Sequence, residues 1–155
     1  MKYNEAMQTI YEAAGGREGM LRLASAWHAR VLEDEVVSHA FSHGYHPEHT
    51  ARLAAYWAEV LGGPPAYSEQ YGDQAFVLSM HSGNGDMGDL GERFVTCFVQ
   101  ALDDARLPDD PDFRSAMHAY MRWAVDNVLS YAEPEDVSPG LRVPRWGWDG
   151  LQAAE

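Results

Sequence analysis

Seven histidines are the main chemical resource of this chain: His28, His39, His43, His46, His49, His81 and His118. Imidazole changes charge near neutral pH, and it serves as both an acid–base group and a metal ligand. Four of the seven crowd into HAFSHGYHPEH, residues 39–49. His39 and His43 stand one helical turn apart there, a spacing known from zinc sites. Gly44 and Pro47 break the helix between the members, however, and no acidic triplet completes a ligand set. His39, His43 and His46 therefore read as surface residues. His49 differs, because its spacing puts it on an apolar stripe with Leu53 and Trp57. His81 differs too. It lies four residues after Val77 in FVLSMHSGNGDMGDLGERF, where a short apolar stretch ends in glycines. A lone inward histidine is usually a core residue with satisfied ring nitrogens. Two of them, on separate helices each ended by a glycine pair or cluster, invite a shared ligand. A flat aromatic metal cofactor would explain one imidazole as axial ligand, a second facing it, and the supply of five Trp, eight Tyr and five Phe for its walls. Core filling is the alternative use of those rings.

Other chemistries find less support. There is no G-x-S-x-G and no Walker-type loop. GNGDMG has glycines, but no strand precedes it, so a dinucleotide loop is not expected. The single cysteine, Cys97, excludes an intramolecular disulfide and a Cys-based zinc site. It lies on an apolar helical face and reads as core. A net charge of −13 would repel a nucleic-acid duplex or an anionic membrane. MKYNEAMQTIYEAAGG lacks the long apolar core of a signal peptide, and no run of about 18 apolar residues suggests a membrane span. A soluble cytoplasmic protein is the expectation.

The elements that must position these histidines are helical almost throughout. A first helix is predicted over Asn4 to Ala14, stopped by Gly15-Gly16. A second runs from about Glu18 to Leu32, with Met20, Leu23, Ala24, Trp27 and Val31 on one face and His28 beside it. A short helix from Glu35 to Phe41 follows. Pro47 and Glu48 suit the first turn of the next helix, whose stripe is His49, Leu53, Tyr56, Trp57 and Val60. Gly62-Gly63-Pro64-Pro65 ends it, and a loop, AYSEQYGD, leads to a two-turn helix that Asp73 caps. Leu90, Phe94, Cys97, Phe98 and Ala101 mark a longer helix. Asp110-Pro111 starts the last one, with Phe113, Met117, Tyr120, Ala124, Val128 and Tyr131. The 155 residues, 46% hydrophobic, suit one domain with one core, residues 1–133. Residues 134–155 read as an extended tail that Trp146 and Trp148 pin to the body. No repeat or β-alternation stands out.

From about Met7 to Leu129 the chain resembles the truncated haemoglobins, in detail their second group, common in actinobacteria. IYEAAGG is similar to that family's short first helix and glycine pair, and HARVLEDEVVSHAF to its helix pair over the distal pocket. RLAAYWAEVLGGPPAYSE resembles the distal helix with its second glycine motif, the most specific match. LSMH, with the loop and helix after it, resembles the proximal segment. The resemblance implies an all-α, two-over-two helical sandwich around haem b. It puts His81 at the proximal, iron-binding position and Phe41 where a ring packs on the haem. His49 and Leu53 fall on distal positions, as does His28 on the second helix. Arg52 matches an arginine that reaches a haem propionate, and Phe94 lines the pocket behind the haem. Trp57 and Met80 belong with the haem-contacting side chains.

Three departures from the family pattern matter. His28 stands where tyrosine is usual, and Phe94 where tryptophan is usual, so that an N–H donor is lost. Basic residues often seen before the proximal histidine are absent. The pocket trades both usual donors for imidazoles. The resemblance implies reversible binding of O2, or of NO or CO. The alternative is an oxidoreductase, a nitric-oxide dioxygenase or a peroxidase-like enzyme, in which His49 and His28 move protons on a bound peroxide. A third class is a haem-free structural module. A reductase partner and a homodimer stay open.

Overall fold

A computed structural model describes residues 8–35, 38, 48–72, 74, 90–129 and 142–152. Within them lie six helices and one small hairpin: α1 (Ile10–Ala13), α2 (Gly16–Glu33), α3 (His49–Val60), α4 (Ala66–Gln70), α5 (Leu90–Asp104), α6 (Pro111–Leu129), β1 (Trp146–Gly147) and β2 (Gly150–Leu151). The expected helices at Glu35–Phe41 and before His81 fall largely or wholly outside the described residues, as does the Asp73 cap.

Residues 4–7 of the first expected helix lie outside the described residues; its described part is α1, which Thr9 caps. Its hydroxyl accepts from the Glu12 N–H at 3.1 Å, and the Glu12 carboxylate accepts from the Thr9 N–H at 3.0 Å. Gly15 turns the chain at φ 101° and α2 begins at once with Gly16, two residues before the expected start. Here the glycine pair serves as the entry to α2 as much as the end of α1. The predicted α2 stripe is the buried one: Met20, Leu23, Ala24, Trp27 and Val31.

α2 packs against α3 and against α5, and α5 packs against α6. This is the pairing of two helix layers that the resemblance implied. Aromatic rings lock the crossing. Trp27 meets Trp57 edge-on at 5.9 Å, and Trp57 meets Phe98 edge-on at 5.2 Å. Such contacts add about 0.5–1.5 kcal/mol each beyond the area they bury. Cys97 is buried on α5, in agreement with its reading as core, and burial pushes its thiol pKa up. The Asp110 carboxylate accepts from the Phe113 N–H at 3.0 Å and so caps α6 as expected.

Two elements were not foreseen. α4 forms where a loop was expected, because Tyr67 buries its ring and the buried Glu59 carboxylate accepts from the Ser68 N–H at 2.8 Å. The tail is not simply extended, since β1 and β2 pair antiparallel, with Trp146 opposite Leu151. Its anchoring by tryptophan holds. Trp146 is buried against Tyr120 and Trp123, and the Trp148 indole donates to the Gln8 carbonyl at 2.8 Å. Arg145 adds two bonds, to the carbonyls of Glu59 at 2.9 Å and Gly63 at 3.1 Å. These bonds tie the tail to the last turn of α3 and to the glycine turn after it.

Gly62 closes α3 at φ 102°, and a Cβ there would stand 2.7 Å from that of Thr9. Close approach at this point lets the Tyr11 N–H donate to the Leu61 carbonyl at 2.9 Å. Gly62→Ala is therefore expected to lower stability by about 1–3 kcal/mol, from backbone strain and displacement of α1. Urea unfolding measures this, and an unchanged midpoint would contradict it.

Candidate functional site

The site is built where α2 crosses α3. Trp27 faces the core on α2, so His28, the next residue, turns to the edge of that face and reaches the first turn of α3. There it meets His49. The two imidazole centroids are 4.9 Å apart, with the rings tilted by 46°. Both residues are half-buried, and the Nδ1 atom of each is closed off from solvent. The sequence put His28 beside one apolar stripe and His49 on another, and the fold brings the two together.

Burial lowers the His28 pKa below 6.5, because the charged form is the one that loses hydration. At neutral pH His28 is therefore an uncharged ring, with one N–H donor and one nitrogen acceptor. Leu53, one turn after His49, and Phe94 on α5 are partly buried and pack against the core. Trp57, two turns after His49, is almost fully buried, which places it in the wall behind the site. Arg52 lies on the neighbouring edge of α3, its guanidinium 5.0 Å over the Tyr71 ring. This contact holds a cation at the rim of the site.

His81, Phe41 and Met80 lie outside the described residues, as do His39, His43 and His46. His118 is exposed on α6. Among the described residues no group of three or more His, Cys, Asp or Glu is placed to hold a metal ion. No described helix is long and apolar enough to cross a membrane.

Sequence reasoning missed Trp27 as more than a stripe residue. Its ring stacks on Phe94 at 5.7 Å with 17° between planes, and it is 8% exposed. Its buried indole Nε1 has no hydrogen-bond acceptor among the described residues. The only available signal was its place immediately before His28.

The donor set can be compared with what a haem needs. Two imidazoles face each other across a helix crossing, bordered by Leu53 and Phe94, with a cation at the rim. The chemistry of these residues, two imidazoles beside apolar and aromatic side chains, is compatible with a haem.

A family model for bacterial-like globins matches residues 9–130. No curated protein matches the chain. Among solved structures, haemoglobin from Chloroflexus aurantiacus is 27% identical, with a TM-score of 0.64 over 77% of this chain and 96% of that one. The group II truncated haemoglobin from Bacillus anthracis is 21% identical, with a TM-score of 0.68 over 78% of this chain and 90% of that one. A thermostable haemoglobin from the actinobacterium Thermobifida fusca is 24% identical, with a TM-score of 0.64 over 86% and 99%. The helices thus take the truncated globin fold.

The lowered His28 pKa has a definite sign in stability. The unfolded chain takes up this proton near pH 6.5, whereas the folded chain resists it. The contribution of neutral His28 is present above that pH and is lost as pH falls from there toward the folded value. His28→Gln should flatten the fall of stability below about pH 6.5, read as urea midpoints across that range. Parallel curves for the two proteins would contradict it.

Proposed function

This chain belongs to the bacterial-like globin family, and from that premise we propose that it binds O2 and other diatomic gases reversibly at the iron of a haem b held by His81. The observation that carries the reading is the His28–His49 pair, 4.9 Å apart at the crossing of α2 and α3. Ferrous haem, when bound, supplies a site where O2 takes on partial negative charge. The chain's own residues then decide what that charge meets. Neutral His28 has an N–H to offer, and His49 supplies a second imidazole beside it. In low-dielectric surroundings each such hydrogen bond is stronger than in water. Leu53 and Phe94 keep water from competing for the same donors. Phe94 donates nothing, so the polar role falls to the imidazoles. Arg52 at the rim suits a propionate.

A second reading is favoured by the same pair. An uncharged imidazole can accept a proton and, as imidazolium, give it back. With a hydroperoxide in the pocket, His28 or His49 can take the proton from one oxygen and return it to the other. This would make the chain an oxidoreductase that spends peroxide.

Both readings need iron on His81. Hemin added to the purified chain should give a Soret band. His81→Gly should lose it and regain it when imidazole is supplied, since free imidazole would replace the missing side chain as ligand. A band of the same position and intensity in His81→Gly without imidazole would sink the assignment. A chain that takes up no hemin would sink both readings.

A further inference from the structure

Four of the five tryptophans and one tyrosine make a continuous line of rings out of the site. Trp27, beside His28, touches Trp57 at 5.9 Å. The Trp57 indole lies against the hydroxyl of Tyr120 on α6, a residue 1% exposed. The Tyr120 ring touches Trp146 at 5.8 Å, and Trp146 touches Trp123 at 5.6 Å. Trp27, Trp57 and Trp146 are buried, while Trp123 is half-buried and reaches the surface. The line therefore runs from pocket to solvent, through the core and into the tail.

Core packing alone accounts poorly for the first member. A phenylalanine at position 27 would stack on Phe94 as well. The indole leaves a buried N–H with no acceptor among the described residues, an unfavourable arrangement that phenylalanine would avoid. What indole brings that phenylalanine lacks is ease of one-electron oxidation. Trp146 is notable in the same way, because it comes from the tail, beyond the residues 9–130 that match the family.

We propose that Trp27, Trp57, Tyr120, Trp146 and Trp123 carry electrons from the surface to the pocket, so that hydroperoxides are reduced by phenol-type donors that never enter it. This rests on the haem reading above. Electron transfer weakens steeply with distance, so short hops between touching rings outrun one long jump. Tyr120 keeps its proton, since burial holds its pKa well above 10, and acts as the packed bridge between indoles. The balance is ROOH + 2 e⁻ + 2 H⁺ → ROH + H2O, with the O–O bond broken in the pocket. Each of two passes moves one electron inward along the line and leaves Trp123 oxidised. Trp123 loses its Nε1 proton to water, and a phenol restores it by giving up a hydrogen atom. Two protons enter the pocket from water by way of the imidazoles, and two phenoxyl radicals are released outside.

The test uses the hemin-loaded full chain and its haem-free form, each treated with H2O2. Freeze-quenched samples are read by electron paramagnetic resonance, and oxidised tryptophans are mapped by peptide mass spectrometry. The loaded wild type should show an indolyl radical and oxidation at Trp123 that the haem-free form lacks. Trp146→Phe should keep the Soret band but lose the Trp123 oxidation. Trp123→Phe, altered only at the surface end, should lose the surface radical and serves if Trp146→Phe does not fold. Equal Trp123 oxidation in wild type and Trp146→Phe, or in loaded and haem-free protein, overturns the proposal. A Soret-bearing wild type without Trp123 oxidation overturns it alone. Absence of a Soret band overturns it together with the haem reading.

Discussion

The contact between Trp27 and Trp57 sets the geometry on which the site depends. It fixes how α2 crosses α3, with the rings edge-on at 5.9 Å and Phe98 of α5 closing the other side of Trp57. His28 follows Trp27 directly, and His49 lies two turns before Trp57. Once the indoles are docked, the imidazoles have little choice but to meet. Truncating either tryptophan would remove about 3–5 kcal/mol of packing. It would also release the histidines from each other, so stability and site share one joint.

Much of this was legible in the sequence. The stripe on α2 and the aromatic-rich face of α3 obey helical spacing, because burying one face is what makes a helix of that length persist. The Asp110-Pro111 start of α6 is local chemistry and was read correctly. What periodicity does not contain is the distance between stripes. His28 and His49 each looked inward, yet only the crossing of two helices brings them to 4.9 Å. Trp27 was hidden for a related reason, since an indole on a stripe looks like filler until its N–H is found stranded. α4 escaped because its support, the Glu59 carboxylate reaching Ser68, is a contact across a proline-bounded turn. The hairpin of the tail escaped because two paired residues per strand leave no alternation to read.

The tail ties the site to the rest of the chain. Arg145 bonds the carbonyls of Glu59 in the last turn of α3 and of Gly63 beyond it, and Trp148 holds the residue before the Thr9 cap of α1. The glycine turn at Gly62 thus has α1 on one side and the tail on the other. α3, which carries His49 at its start, is fixed at its far end by both. Ion pairs contribute orientation more than energy. Arg30 grips Asp104 with two bonds, at 2.6 and 2.9 Å, and joins α2 to α5 at the surface, where screening by water leaves little net gain.

The central claim is that the paired imidazoles of His28 and His49 are the polar face that a bound diatomic meets. The infrared stretch of carbon monoxide on the ferrous, hemin-loaded chain reads that face directly, because donors near the ligand draw electron density onto it and weaken its bond. The account predicts a higher stretching frequency in His28→Phe/His49→Phe than in the wild type. An identical band in the two proteins would contradict it.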